Sequence, residues 1–136
     1  MKIWRGYGSE HSSNLVLIGR FKTVADAVEA KRIMERLTEQ VRADVKAGLM
    51  DESDPPQRFT DHIMELFKEV ETYIVAPAEL SQFNYEFSVK LQGDTIVLTT
   101  EEYDVSAFLK ILVNGGARVE VFSRHDYPAA KETAEA

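Results

Sequence analysis

The sequence has 136 residues, a net charge of −7 and no cysteine. This length fits one domain of ordinary size, and 44% apolar with 29% charged residues is typical of a globular protein. The absence of thiols excludes disulfide scaffolds, cysteine nucleophiles and thiolate metal sites. No apolar stretch approaches the roughly 18 residues of a membrane span, and residues 1–14 lack the apolar core of a signal peptide. We therefore expect no membrane association and a cytoplasmic location.

The charge is unevenly distributed along the chain. Residues 1–22 hold four basic groups and one acidic group, whereas residues 51–80 hold two basic and eight acidic groups. An acidic chain without a long basic run is a poor candidate for a nucleic-acid partner, because phosphate neutralisation supplies most of that affinity. We interpret the acidic middle as a solvated face, with a basic partner surface as the alternative.

Two strands are predicted near the N-terminus, at residues 2–7 and 14–21. The second contains an unbroken apolar run, Leu15 to Ile18, which is typical of a strand buried on both faces near the middle of a sheet. The polar segment 8–13 (GSEHSS) between them could turn the chain, so the two strands could form a hairpin.

A first helix is predicted to begin after Thr23, whose hydroxyl can accept a hydrogen bond from the amide of Asp26. We expect it to run to about Ala47, with Gly48 as its stop. Apolar residues at three-, four- or six-residue steps are predicted to form one buried stripe: Val24, Val28, Met34, Leu37, Val41 and Val45.

A second helix is expected after the linker 51–57, with Asp54 as its cap and Pro77 at or after its end. Its predicted apolar face consists of Phe59, Ile63, Leu66, Phe67, Val70 and Ile74.

Acidic residues at four-residue steps, Asp61, Glu65 and Glu69, follow the opposite side of this second helix. His62 and Glu65 have the spacing of a Glu/His metal motif, but the sequence offers neither a second copy nor an HExxH pattern. We interpret this stripe as a solvated face.

The C-terminal half predicts a hairpin, a helix and a last strand. Residues 83–91 alternate apolar and polar, and Gly93-Asp94 separates them from a partner strand at 95–100. Asp104 is the expected cap of a third helix that ends at Asn114-Gly115-Gly116, and residues 117–123 form the last strand.

From residue 14 the predicted order is strand, helix, helix, strand, strand, helix, strand. The fold class is therefore α+β: a ferredoxin-like split β-α-β sandwich with an extra N-terminal strand and a two-helix crossover. Residues 1–127 are expected to form the single domain, and residues 128–136, which contain no large apolar residue, a flexible tail. This architecture serves many functions and selects none of them.

The first candidate site is the polar turn at residues 8–14. A histidine beside a carboxylate is a combination used for general acid–base catalysis. The turn also lies within residues 1–22, which are net basic although the whole chain is acidic, so an anion would be attracted there. The catalytic candidates are His11 and Glu10, and the binding candidates are Arg5, Tyr7, Ser12, Asn14 and Arg20. The alternative is that Ser, Asn and Gly only form the turn while His11 and Glu10 are solvated.

The second candidate site follows the last strand, at residues 124–127. Arg124 and His125 are added to the binding candidates here, beside Asp126. If this strand end meets the first turn, His11 and His125 would combine with a carboxylate into a metal site or an acid–base couple. The alternative is a polar strand exit. No motif specifies a metal or a cofactor, and we expect none.

Two functional hypotheses remain open at this stage. The first is a non-catalytic interaction or accessory module with a protein partner, or with a second copy bound through an open, lightly charged sheet face at residues 83–91. The second is a small enzyme, or a binder of a small molecule or anion, with its site at residues 8–14 and 124–127. Whether the protein is an enzyme is left undecided by the residues alone.

Overall fold

The computed structural model describes residues 2–3, 15–52, 54–102 and 104–123. The protein is α+β, with a four-stranded antiparallel sheet, one short additional strand and four helices, one of them 3₁₀. The elements are β1 Lys2–Ile3, β2 Leu15–Arg20, α1 Val24–Lys46, α2 Asp61–Val70, the 3₁₀ helix Pro77–Asn84, β3 Phe87–Gln92, β4 Thr95–Thr100, α3 Ser106–Asn114 and β5 Arg118–Ser123. The expected tail, 128–136, lies outside the described residues.

The central strand of the sheet is β2. The strand order is β1-β5-β2-β4-β3, and β2 pairs antiparallel with both β4 and β5. The run from Leu15 to Ile18 is buried throughout, as predicted. The expected N-terminal hairpin is wrong, because both edges of β2 are occupied and Lys2–Ile3 runs parallel to β5 instead.

The boundaries of α1 agree with the prediction. Thr23 is the N-cap and its hydroxyl accepts from the Asp26 amide at 3.1 Å, while Ala47 ends the helix before Gly48, which has a positive φ. The first part of the predicted stripe is wrong, since Val24 is 55% and Val28 46% exposed. The six-residue step from Val28 to Met34 turns the helix by about 240°, which moves the side chain off the buried face. The buried positions at this end are Ala27, Ala30 and Ile33.

The second helix begins later than predicted. Its N-cap is Thr60, whose hydroxyl accepts from the Ile63 amide at 3.2 Å, so the expectation of Asp54 as the cap is wrong. The helix ends at Val70, and Glu71 follows in the left-handed conformation at φ 53°. Four of the six predicted apolar residues lie within the helix and are buried: Ile63, Leu66, Phe67 and Val70. Phe59 and Ile74 flank it and pack against the core.

The acidic stripe of α2 is exposed, as expected. Glu69 forms a two-pronged ion pair with Arg36 of α1, at 2.7 and 2.8 Å. The guanidinium of Arg36 holds the pKa of Glu69 below its ordinary value. The stripe thus contributes one inter-helix contact on a solvated face.

The segment before β3 is helical rather than extended. Pro77 begins the 3₁₀ helix, and Phe83, predicted to begin a strand, lies fully buried within it with its ring centroid 5.2 Å from that of Phe108. Burial raises the pKa of Glu79, but hydrogen bonds from the Ala76 amide and the Lys110 ammonium, at 2.8 and 2.6 Å, lower it by more. The strand therefore starts only at Phe87.

The hairpin and the third helix follow the sequence signals with one correction. Gly93 has φ 62° in the two-residue turn between β3 and β4, and Gly116, at φ 94°, follows the end of α3. Asp104 is not the cap of α3. The N-cap is Val105, and the amide of Ala107 donates at 2.8 Å to the side chain of Gln82 in the 3₁₀ helix.

Leu37 and Val28 give a direct test of which side of α1 is buried. Leu37 is fully buried, so Leu37→Ala should lower the free energy of unfolding by about 2–4 kcal/mol. Val28→Ala, half exposed, should change it by less than about 1 kcal/mol. Urea denaturation of both variants measures the difference, and equal costs would contradict the observed orientation of the helix.

Candidate functional site

Most of the site residues predicted from the sequence lie outside the described residues. These are Arg5, Tyr7, Glu10, His11, Ser12, Asn14, Arg124 and His125. Arg20 is described: it ends β2, is exposed, and its Nη1 lies 2.8 Å from Glu120 Oε1.

The sheet register locates the points at which the two predicted segments join the described fold. Leu15 pairs with Ser123, so the start of β2 and the end of β5 are neighbours. Arg20 lies five residues further along β2, about 17 Å from Leu15 at the usual rise of a strand. The structure therefore brings together the residues adjoining 8–14 and 124–127, and it places Arg20 with Glu120 at the other end of the strand.

A feature that the sequence did not single out is the free edge of β3. β3 is the last strand in the sheet order. Gln92 and Thr95 flank the two-residue turn and therefore form a hydrogen-bonded pair, so the bonds to β4 come from residues 92, 90 and 88. The backbone groups of Phe87, Val89 and Leu91 point away from β4. We call these outward groups the β3 edge, and no described strand lies beyond it.

A groove of about 380 Å³ runs between α1 and β3. We call it the α1–β3 groove. It is lined by Met34, Glu35, Thr38, Glu39, Arg42, Phe87 and Val89. A polar pocket of about 420 Å³ shares Arg42 and Phe87 with this groove and extends to Glu86, Ser88, Thr99, Thr100 and Glu101.

Arg42 is fixed at the point where the groove and the polar pocket meet. Its Nη2 donates to the carbonyl oxygen of Tyr85 at 3.1 Å, and its guanidinium carbon lies 5.8 Å from the centre of the Phe87 ring. The second distance is that of a cation–π contact. Phe87 also contacts Phe108 of α3, with the ring centroids 4.7 Å apart. The core thus holds Phe87, and Phe87 helps to hold Arg42.

The phenol of Tyr85 lies at the same end of β3. Burial raises the pKa of Tyr85, and the carboxylates of Asp104 and Glu102 raise it further. A tyrosine phenol is already protonated at neutral pH, and this upward shift of the pKa moves Tyr85 further from ionisation, so it can donate a hydrogen bond.

The sheet face opposite the helices is open only in part. Val16, Ile18 and Val97 are 0–2% exposed there and form a second apolar cluster with the half-buried Phe122. The centre of this face is therefore buried, whereas the expected open face concerns residues 83–91 only. On β3 the same face is polar: Ser88 is exposed, and its hydroxyl is hydrogen-bonded to that of Thr99.

A buried carboxylate joins the two crossover helices. Asp44 is 1% exposed; its Oδ2 accepts from the Thr60 hydroxyl at 2.6 Å, and its Oδ1 accepts from Gln40 Nε2 at 2.9 Å. His62 Nδ1 lies 3.1 Å from the same Oδ1. Since Thr60 is the N-cap of α2, this cluster ties the end of α1 to the start of α2.

The pair of Asp44 and His62 resembles in geometry the carboxylate–imidazole couple of acid–base catalysis. Such a couple needs a nucleophile or a metal beside the free ring nitrogen. The described ranges contain no group of three or more His, Asp or Glu side chains that could hold a metal ion. The hydrogen bonds of Asp44 to three neighbouring side chains support a structural role.

The chain belongs to a protein family described as "Family of unknown function (DUF6375)", whose model matches residues 1–134. Comparison with curated proteins gave no match, and comparison with solved structures gave none either. Within the part of the chain that the structure describes, no helix is both long enough and apolar enough to cross a membrane.

The Asp44 cluster predicts a specific loss of stability. Asp44→Ala leaves the Thr60 hydroxyl and the Gln40 amide without their acceptor, which should cost about 1–3 kcal/mol of unfolding free energy. Asp61→Ala removes an exposed carboxylate from the first turn of α2 and should cost about 0.3–1 kcal/mol. Urea denaturation compares the two variants. If Asp44→Ala costs no more than Asp61→Ala, the buried cluster does not fasten the helices.

Proposed function

We propose that this protein is a small cytoplasmic interaction module that acts through protein–protein contacts without catalysis, and that it binds through the β3 edge. The observation that carries the proposal is a six-residue strand at the sheet margin, with outward backbone groups beside the α1–β3 groove. An extended segment of a partner can add to such an edge as a further strand.

The protection of sheet edges in other proteins supports this choice. Proteins commonly block an exposed edge with proline, several charges or a β-bulge, because unpaired N–H and C=O groups attract other strands. β3 has no proline, its pairing with β4 is continuous from Phe87 to Gln92, and Lys90 is its one charged residue. The strand is therefore of ordinary length and regular, and its own residues give the edge little protection.

The groove supplies what backbone hydrogen bonds alone lack, which is selectivity for side chains. Phe87 and Val89 are half-buried and form its apolar wall on the strand side. Arg42 and Glu39, both exposed, add one charge of each sign on the helix side. A bound strand would find an apolar surface with a polar rim, as at the centre and margin of protein interfaces.

We further propose that the fold is the ferredoxin-like split β-α-β arrangement, with α1, α2 and the 3₁₀ helix in the first crossover. The order β5-β2-β4-β3 and the antiparallel pairing of these strands support it. The lack of cysteine is compatible with a reducing compartment such as the cytoplasm.

A binding site for an anion or a small molecule, or a small enzyme's active site, is the second candidate, and one observation favours it. The pairing of Leu15 with Ser123 makes residues 8–14 and 124–127 depart from neighbouring points of the sheet. His11→Ala should then leave the melting temperature unchanged in plain buffer and remove any stabilisation by inorganic phosphate, since a ligand of the native state raises that temperature. If phosphate raises the melting temperature of neither the wild type nor His11→Ala, binding of this anion is contradicted.

The β3 edge is tested with a pair of variants at Val89. Its N–H points outward, so Val89→Pro removes a donor of the edge and leaves the ladder to β4 intact, whereas Val89→Ala keeps the donor. We expect the amide signals of Phe87, Val89 and Leu91 to broaden when labelled protein is placed in an extract of its native cells. Val89→Ala should retain the broadening at all three positions. Val89→Pro should abolish it at Phe87 and Leu91.

Circular dichroism and the melting temperature show whether each Val89 variant is folded. Broadening confined to α2 or α3, or equal in the two folded variants, would contradict binding at the β3 edge.

A further inference from the structure

We propose that the occupant of the β3 edge is a second copy of this chain, joined by antiparallel pairing of β3 with β3 about a twofold axis at Ser88. This inference rests on the proposed function and names the partner of the same edge. It follows from the direction of the backbone groups and from the position of four charged side chains beside them.

The charge of the chain makes the edge the favourable place for two copies to meet. Each copy has a net charge of −7, so most of its surface repels a second copy. Residues 85–92 contain one acid, Glu86, and one base, Lys90, and are therefore locally neutral. Within the described residues neither side chain has an ion pair, so both are available to a partner.

The backbone restricts the registers that two β3 strands can adopt. Outward groups belong to residues 87, 89 and 91, so each of these must oppose an outward residue of the other strand. An axis at Ser88 meets this condition where the strands overlap, because it sets Phe87 opposite the partner's Val89. Axes at Val89 and Lys90 also meet it. The axis at Val89 would set Glu86 opposite the partner's Gln92 and Lys90 opposite its Ser88, which pairs no opposite charges, and the axis at Lys90 would set two ammonium groups against each other.

The axis at Ser88 also pairs the charges on the outer face of the sheet. Glu86, Ser88 and Lys90 are separated by two-residue steps and point to one face. With the axis at Ser88, Glu86 lies opposite the partner's Lys90, and the symmetry repeats this pair. Opposite charges directly across two strands stabilise the pairing, whereas like charges destabilise it.

The second pair of charges lies on the helix side of the edge. α1 starts after Arg20, which pairs with Thr95 beside the Gln92 end of β3, and its later residue Arg42 lies over Phe87. α1 therefore runs antiparallel to β3. Glu39, one helical turn before Arg42, lies further toward the other end of the groove.

The twofold axis combines the two grooves head to tail. Because Phe87 opposes the partner's Val89, the Arg42 end of one groove lies beside the Glu39 end of the other. In this one register, a base of one copy therefore lies toward an acid of the other copy both on the outer face of the sheet and on its helix side. A foreign extended peptide would gain the backbone bonds, but nothing in the structure would give it these symmetric pairs.

The test uses two charge variants, each of which should dimerise weakly alone and more strongly with the other. Glu86→Lys gives a chain with Lys at positions 86 and 90, and Lys90→Glu gives a chain with Glu at both. In each variant alone both cross-strand pairs become repulsive. An equimolar mixture restores both pairs in a heterodimer, and the double variant E86K/K90E restores them in a homodimer.

Sedimentation equilibrium over a range up to millimolar protein measures the association. We expect the wild type and the double variant to dimerise, each single variant to raise the dimer dissociation constant by about 10- to 100-fold, and the mixture to return it to near the wild-type value. Val89→Pro should prevent association in every background. Recovery in the mixture also shows that both single variants are folded.

Two results would overturn the inference. Single variants that associate as strongly as the wild type would exclude the register at Ser88. A wild type that remains monomeric at millimolar concentration would exclude the second copy as the occupant. The Val89 pair in cell extract then decides separately whether another protein uses the β3 edge, so failure here is distinguishable from failure of the proposed function.

Discussion

The burial of β2 on both faces and both edges is the constraint on which the rest of the structure depends. An unbroken apolar run can be accommodated only where both faces of the strand are buried and other strands bond to both of its edges. The approach of α3 is close as well: a Cβ on Gly19 would lie 3.0 Å from a methyl of Leu112. With β4 and β5 fixed against β2, the hairpin carries β3 to the margin of the sheet. The position of β3 at the margin of the described sheet is thus a consequence of how the centre is filled.

Local chemistry explains which parts of the fold could be predicted from the sequence. Thr23 accepts a hydrogen bond from the amide of Asp26, three residues away, and Gly93 supplies the positive φ of the two-residue turn. Both signals can therefore be found within a few residues of sequence. Asp54 and Asp104 were plausible caps by residue type, but Thr60 lies closer to the start of α2. At α3 the side chain that accepts from the first turn comes from Gln82, far away in the chain. A contact of that kind has no local sequence signal.

The candidate site was harder to predict, because its key groups belong to the backbone. Every residue except proline carries both an N–H and a C=O, so the sequence cannot show that those of Val89 point away from β4 until the strand order is known. Titratable groups such as His11 are visible in the sequence instead, and His11 lies outside the described residues. Asp44 illustrates the same limit. In sequence it is one more charge on α1. Its burial depends on contacts with Thr60 and His62, which lie beyond the linker that follows α1. The alternation of Glu86, Ser88 and Lys90 was the one available signal, and its meaning depended on β3 being an edge strand.

In the proposed dimer, charge and edge geometry together would let an acidic chain pair with itself without aggregating. Net negative charge keeps most encounters between copies unproductive, which is the usual way in which charge maintains solubility. In the proposed dimer the locally neutral strip at residues 85–92 lowers that repulsion. Within the strip, one acid and one base four residues apart favour the antiparallel register in which they oppose each other and disfavour the register that brings Lys90 against Lys90. In the proposed dimer the same two side chains therefore provide attraction in one alignment and repulsion in another, which would restrict the edge to a single partner.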